Sequence, residues 1–166
     1  MRRITNQNVQ PTPALSVKEK HQQEASANTR EKEAPVKNSS NAVASSEVPA
    51  ASGPYSAAIM SRGFSFLSGQ GPYDSAGVLS GEDIETQTRQ TLRNLDAVAR
   101  ASGASLKDAV RIGVYLTDMV HFAAMNLVFE EFFEHPFPAR TTVMTGLPKP
   151  EMLIEIDAIV AVPNTI

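Results

Sequence analysis

The chain has 166 residues, contains no cysteine and carries a formal net charge of −3. Without cysteine it can form no disulfide, no thiolate metal site and no cysteine nucleophile. Residues 1–50 are net basic and residues 51–166 net acidic, and an acidic folded part disfavours binding to a nucleic-acid backbone.

No apolar run in the sequence approaches the roughly 20 residues that a membrane-spanning helix needs. The first ten residues lack the apolar core of a secretory signal. We therefore expect a cytoplasmic protein with neither a membrane nor a nucleic-acid partner.

Residues 1–50 contain no aromatic residue and are rich in Gln, Asn, Ser, Ala, Glu and Lys. Such a segment buries too little apolar surface to offset its ordering entropy. All ten Phe and Tyr residues lie between Tyr55 and Phe137. The composition predicts a disordered polar tail at 1–50 and one folded domain at 51–166.

Order is expected to begin near Gly53, with strands at 56–60 and 64–68 joined by a turn at Arg62-Gly63. Acidic residues then precede a helix predicted at 84–102, which Gly103 closes. The apolar positions of this helix recur at helical spacing, and that pattern places Gln87 on the solvated face.

Residues 109–116 alternate apolar and other residues, which predicts a strand with one apolar face. Thr117-Asp118 opens a second helix with an apolar stripe, which the prolines at 136 and 138 end. Two strands follow between residues 137 and 160, and we expect them to pair with each other. The fold class is α+β, with the order ββαβαββ and one sheet carrying two helices on one face.

The second face of this sheet has no helix left to cover it. It is expected to combine apolar and charged residues, namely Arg111, Tyr115, Arg140, Glu155, Asp157 and Ile159. A partner subunit would bury the apolar side chains and pair the charges. A cleft between subunits is then the natural place for a small-molecule site.

Four residues each allow two interpretations from the sequence alone. Arg140 either forms an ion pair with Glu155 or Asp157, or binds a ligand carboxylate bidentately. Glu155 is then either its partner or an acceptor that orients a water. Tyr55 either packs or closes a pocket, and Asn126 either bonds to a neighbouring loop or lines a pocket.

Six short motifs occur in sequence: GPYS at 53–56, LSGQGP at 67–72, VYLTDM at 114–119, MNLVFEEFF at 125–133, FPART at 137–141 and IEIDAIV at 154–160. Together they resemble the RidA/YjgF family of enamine/imine deaminases. The resemblance covers residues 53–162. It implies a chorismate-mutase-like ββαβαββ subunit, a homotrimer around a central sheet barrel, and sites at the subunit interfaces.

The resemblance also implies a reaction and the residues that carry it out. The reaction is that of a hydrolase similar to 2-iminobutanoate/2-iminopropanoate deaminases, which converts a 2-enamine or 2-imino acid such as 2-aminoacrylate to the 2-oxo acid and ammonium. It implies neither a cofactor nor a metal. The implied substrate-binding residues are Arg140, Tyr55, Ser68, Gly69, Asn126 and Thr142, and the implied catalytic residues are Arg140, Glu155 and Tyr55.

Two features separate this chain from many members of that family. Thr142 stands where many have cysteine, so only its backbone carbonyl could take over that position's role, and Ala57 and Ala58 replace a frequent Gln at the pocket rim. The alternatives are a non-catalytic regulator that binds 2-oxo acids and an endoribonuclease or translation inhibitor. The acidic charge of residues 51–166 disfavours the latter.

Overall fold

A mixed six-stranded sheet organises residues 41–163, the part of the chain that this computed structural model describes. The strands are β1 (Asn41–Val43), β2 (Ala58–Ser61), β3 (Phe64–Gln70), β4 (Ala109–Leu116), β5 (Ala139–Met144) and β6 (Ile154–Ala161). The helices are α1 (Ile84–Ala101) and α2 (Phe122–Phe132), with 3-10 turns at Leu106–Asp108 and Met119–His121. The sheet order is β1-β2-β3-β6-β4-β5, and only β4 and β5 are parallel.

The folded part starts earlier in the chain than the sequence predicts. Strand β1 pairs with the edge of β2, and Val43 and Val48 are buried in the core. The Glu47 carboxylate accepts hydrogen bonds of 3.1 and 2.9 Å from the Arg100 guanidinium. Residues 41–43 therefore join the sheet through main-chain pairing, and Val43 and Val48 add two small apolar side chains to the core. Residues 1–40 lie outside the described residues, so the disorder predicted for them stays a prediction.

The local signals in the first half of the folded part predict its elements well. The β2–β3 turn has positive φ at both Arg62 and Gly63, as a tight hairpin requires. The Asp83 carboxylate accepts a 2.7 Å hydrogen bond from the Thr86 amide and caps α1. Gly103, with φ of +78°, follows the end of the helix in the left-handed conformation.

Gln87 is completely buried, so the prediction that it lies on the solvated face is wrong. Its amide nitrogen donates to the carbonyls of Gly81 and Glu151, at 3.2 and 3.0 Å. Its amide oxygen accepts from the Leu153 amide at 2.8 Å. A polar side chain can be buried when its donors and acceptors are satisfied, and here it fixes the segment that leads into β6.

The predicted pairing of the last two strands is also wrong, because β4 lies between β5 and β6. Strand β5 follows β4 through the helix α2, and a helical crossover is the connection that parallel neighbours need. Strand β6 then runs antiparallel to both β3 and β4 in the middle of the sheet. Arg140 consequently lies opposite Ile112 of β4 and not opposite β6.

Both helices cover one face of the sheet. The β6 residues on that face are buried, namely Ile154, Ile156, Ala158 and Val160. The other side, here called the open face, carries Ile59, Phe64, Phe66, Arg111, Tyr115, Val143, Glu155, Asp157 and Ile159. Arg140 shares the face of Ile112, so its predicted place on the open face is wrong.

Candidate functional site

Arg140 lies on the edge strand β5, and its guanidinium is held against helix α2. The Nη2 group donates a 2.8 Å hydrogen bond to the Asn126 side-chain oxygen. The guanidinium carbon lies 4.8 Å from the centre of the Phe129 ring and 5.6 Å from that of Phe122, within the range of cation–π attraction. These contacts from one helix face fix the orientation of a long side chain.

No carboxylate neutralises Arg140 within residues 41–163. The ion pair with Glu155 or Asp157, one of the two interpretations left open by the sequence, does not form. Partial burial lowers the pKa of the Arg140 guanidinium. A fixed and partly desolvated cation without an anionic partner is suited to bind an anionic ligand.

Asn126 and Thr142 lie beside Arg140, as the predicted site requires. Asn126 bonds to Arg140 and not to a neighbouring loop. Thr142 is two residues along the same strand and opposite Val114, so it shares the helix-covered face of β5. This group of Arg140, Asn126 and Thr142 is called the arginine half-site below.

Glu155 lies on the open face and packs over Gly69 of strand β3. A side chain at Gly69 would collide with the Glu155 carboxylate, so the present position of this carboxylate depends on glycine at residue 69. The β3–β6 register shifts between Leu67 and Gln70, and such irregularities often lie next to active sites.

The Glu155 carboxylate has no hydrogen-bond donor among the residues that the structure describes. Burial and, to a smaller extent, the charge of Asp157 raise the pKa of this carboxyl group. A half-buried carboxyl without a protein donor is available to exchange a proton with a bound molecule or water.

Asp157 forms an ion pair within the chain, with Arg111 and not with Arg140. Its carboxylate lies 3.2 Å from the Arg111 guanidinium and accepts a 2.6 Å hydrogen bond from the Tyr115 hydroxyl. That hydrogen bond, together with burial, raises the pKa of Tyr115. Asp157 is therefore satisfied within the chain, in contrast to Glu155.

Ser68 and Gly69 are neighbours on strand β3, and Ser68 connects this strand to the segment that carries Tyr55. The Ser68 hydroxyl donates a 2.7 Å hydrogen bond to the Ser56 carbonyl, which joins β3 to the segment that carries Tyr55. Tyr55 is 50% exposed, and its hydroxyl accepts a 3.2 Å hydrogen bond from the Ser52 amide. Tyr55, Ser68, Gly69 and Glu155 are called the glutamate half-site below.

The two half-sites do not meet within one chain. Arg140 lies on the helix-covered face of β5, whereas Glu155 lies on the open face of β6, with β4 between the two strands. Two surface cavities, of about 490 and 380 Å³, are lined by other residues. In residues 41–163 no three acidic or histidine side chains are grouped to hold a metal ion.

The sequence interpretation missed the aromatic support of Arg140. Phe122, Asn126 and Phe129 are spaced by four and three residues, which places them on one face of a helix. The sequence shows this spacing as an apolar stripe along the helix. It does not show that β5 lies beside β4, and this position is what places Arg140 against the stripe.

Residues 45–162 match the family model described as Endoribonuclease L-PSP. The chain belongs to the RidA/YjgF/L-PSP family. This match spans most of the chain and confirms the resemblance carried by the six motifs.

Known members of the RidA family match this chain over most of their length. A RutC family protein of Pyrococcus horikoshii is 48% identical over 109 residues, which are 64% of this chain and 86% of that protein. The 2-iminobutanoate/2-iminopropanoate deaminase of Salmonella typhimurium is 39% identical over 124 residues, which are 72% and 96% of the two chains. The crystal structure of RidA from an Antarctic Psychrobacter species aligns with a TM-score of 0.69 at 35% identity, covering 73% and 98%.

Two further relatives carry a compartment in their names. They are Protein mmf2, mitochondrial, of Schizosaccharomyces pombe and Reactive Intermediate Deaminase A, chloroplastic, of Arabidopsis thaliana. Within residues 41–163, no helix combines the length and the apolar composition needed to cross a membrane.

Proposed function

We propose that this RidA-family chain hydrolyses reactive 2-imino acids, and the 2-enamine acids that tautomerise to them, to 2-oxo acids and ammonium. The observation that carries the proposal is the Arg140 guanidinium, which is fixed by Asn126 and Phe129 and has no acidic partner in the described chain. The deaminase names of the Salmonella and Arabidopsis relatives support the same reaction. We keep the cytoplasm as the expected location.

Arg140 supplies the anchor for the substrate. The planar guanidinium matches the two oxygens of a carboxylate, and every 2-imino acid carries that carboxylate next to the reacting carbon. Anchoring it fixes the imine carbon relative to the rest of the site, which lowers the entropic part of the barrier.

Glu155 supplies the proton transfers. Its protonated carboxyl gives a proton to the methylene carbon of 2-aminoacrylate, which becomes 2-iminopropanoate. The carboxylate then accepts a proton from the water that adds to the imine carbon. As the carbon–nitrogen bond of the resulting carbinolamine breaks, its hydroxyl proton passes to the departing nitrogen, which leaves the 2-oxo acid and ammonia. The ammonia then takes up a proton from solvent. The iminium carbon is already electrophilic, so the reaction needs no cofactor.

The complete site is proposed to form between two copies of the chain. Arg140 and Glu155 lie on opposite faces of one sheet, so they can act on one substrate only if they come from different copies. The open face supports this arrangement, because it exposes Phe64 and Phe66 next to one another on β3, and exposed apolar patches mark interaction surfaces. We propose a homotrimer with these faces turned to a central barrel.

The proposal is tested by following 2-oxo acid formation from 2-aminoacrylate that is generated in situ. We expect the protein to accelerate hydrolysis above the rate in buffer, and Arg140→Ala to lose that acceleration. Arg93→Ala removes an exposed arginine of α1 and should behave as the parent. An unchanged decay rate with the parent protein, or equal rates for the parent and Arg140→Ala, contradicts the proposal.

The same preparation separates the two alternatives. Thermal stabilisation by 2-oxobutyrate without any turnover would assign the arginine half-site to a non-catalytic regulator. RNA cleavage that survives rigorous purification and disappears in Arg140→Ala would assign the chain to the nucleases.

A further inference from the structure

Two carboxylates project from the same face of β6, and each lies over a glycine of a different neighbouring strand. Glu155 packs over Gly69 of β3, and Asp157 packs over Gly113 of β4. A side-chain carbon at Gly113 would lie 2.7 and 2.9 Å from the two Asp157 oxygens. The two glycines therefore let the carboxylates lean in opposite directions across the sheet.

The hydrogen bonds of this surface go to one carboxylate only. Tyr115 lies directly opposite Glu155 in the β4–β6 register, yet its hydroxyl donates to Asp157 at 2.6 Å. Arg111 also approaches Asp157, at 3.2 Å. Glu155 receives no donor within the described part of the chain. By strand register alone, the Tyr115 hydroxyl would be expected to donate to Glu155. Its hydrogen bond to Asp157 is therefore not a consequence of strand pairing.

We propose that Asp157 is a positioning residue for the deaminase site: Tyr115 and Arg111 hold its negative charge on the face of β6 that carries Glu155, and this charge favours the proton on Glu155. This inference rests on the proposed function, in which Glu155 gives and accepts that proton.

The electrostatic surroundings of Glu155 support the assignment. Strand β3 contributes no titratable side chain, β4 contributes Arg111 and Tyr115, and β6 contributes Asp157. A nearby negative charge favours the neutral form of a carboxyl group, and hydrogen-bond donors favour the charged form. Burial and the charge of Asp157 both raise the pKa of Glu155, in the direction that this arrangement requires.

The decisive measurement is the titration of the Glu155 carboxyl carbon by NMR in the assembled protein. Asp157→Asn keeps the shape and the acceptor for Tyr115 but removes the charge, so the Glu155 midpoint should move to lower pH. Tyr115→Phe removes a donor that stabilises the negative charge of Asp157, so the Glu155 midpoint should also move to lower pH, but by less than in Asp157→Asn. In the pH profile of kcat/KM, the inflection that reports Glu155 should shift in the same direction as the NMR midpoint in each variant.

A purely structural role for Asp157 would not lower the Glu155 midpoint in both variants, with the larger shift in Asp157→Asn. The inference is overturned if the Glu155 midpoint stays at its parent value or moves to higher pH in either variant. If only Tyr115→Phe can be purified in the parent's oligomeric state, an unchanged or higher midpoint overturns it. The titration needs no turnover, so absence of deaminase activity in the parent would reject the proposed function separately.

Discussion

The Nη2 group of Arg140 donates a 2.8 Å hydrogen bond to the side-chain oxygen of Asn126, which joins the edge strand β5 to helix α2. This contact uses one edge of the guanidinium and a neutral acceptor, so the positive charge is oriented without being neutralised. Arg140 can therefore meet an incoming carboxylate with its charge uncompensated, which distinguishes it from the arginines that form ion pairs elsewhere in the described chain.

The first prediction replaces this neutral acceptor by a charged one. Asn126→Asp places a carboxylate next to Arg140, which then competes with the substrate for the guanidinium. Charge-assisted hydrogen bonds contribute about 1.5–3 kcal/mol, so kcat/KM should fall on the order of tenfold to a hundredfold, mainly through a higher KM. Steady-state kinetics measure the changes in kcat and in KM separately. Asn126→Ala, which adds no charge, should raise KM less, and equal effects of the two variants would contradict the account.

The second prediction concerns the space that Gly69 leaves for Glu155. Gly69→Ala places a methyl group where the Glu155 carboxylate lies, so the carboxylate must move. We expect a loss of kcat that exceeds any change in KM, because the carboxylate anchor at Arg140 is untouched. Gly146→Ala is the matched control, since a side chain there meets nothing within 4 Å. Parent-like kcat in Gly69→Ala, with the fold retained, would show that the position of Glu155 does not matter.

The third prediction is a pH dependence of stability. Folding raises the pKa of Glu155, so the native state keeps this proton at pH values where the unfolded chain has released it. The resulting contribution is fully present below the ordinary glutamate pKa of about 4.3 and is lost as the pH rises through the folded value. Glu155→Gln has no ionisable carboxyl group at this position, so the variant should not show this loss of folding stability.

Denaturant midpoints between pH 4 and pH 8, at one protein concentration, provide the measurement for Glu155→Gln. The parent should lose stability relative to the variant as the pH increases. A difference between the two that stays constant over this range would contradict the raised pKa.

The fourth prediction tests the open face as a subunit interface. Phe66 is 47% exposed in the single chain and would be buried in the proposed trimer. Phe66→Lys would then bury an unpaired charge, which is costly, so the assembly should dissociate. Val78→Lys changes a more exposed apolar residue of a turn and should leave the assembly intact. Light scattering at micromolar concentration distinguishes these outcomes, and a parent protein that is already monomeric would refute the trimer.

Much of the fold could be predicted because its signals are local. Alternation along residues 109–116 and 154–160, the acidic start of α1 and the left-handed Gly103 each depend on neighbours within a few residues. Alternation assigns side chains to faces, but it does not tell which strands are neighbours. Two successive strand signals between residues 137 and 160 favour a hairpin, whereas in the sheet β4 lies between β5 and β6.

The site was harder to predict because its partners are distant in sequence. Pairing its strand with β6 puts Arg140 on the wrong face of the sheet, and from that position its aromatic support cannot be recognised. Gln87 is buried because Gly81, Glu151 and Leu153 satisfy its amide. Periodicity treats a polar residue as solvated and has no information about such partners.

We propose that Arg140 of one copy and Glu155 of another act on the same imine. Assemblies that mix two singly inactive variants test this proposal most directly. Arg140→Ala and Glu155→Gln should each be inactive as homo-oligomers. After co-expression in equal amounts, about one site in four should combine an intact Arg140 with an intact Glu155 from another copy, so deaminase activity should return to roughly that fraction of the parent value. Mixed assemblies that remain as inactive as the single variants would contradict the account.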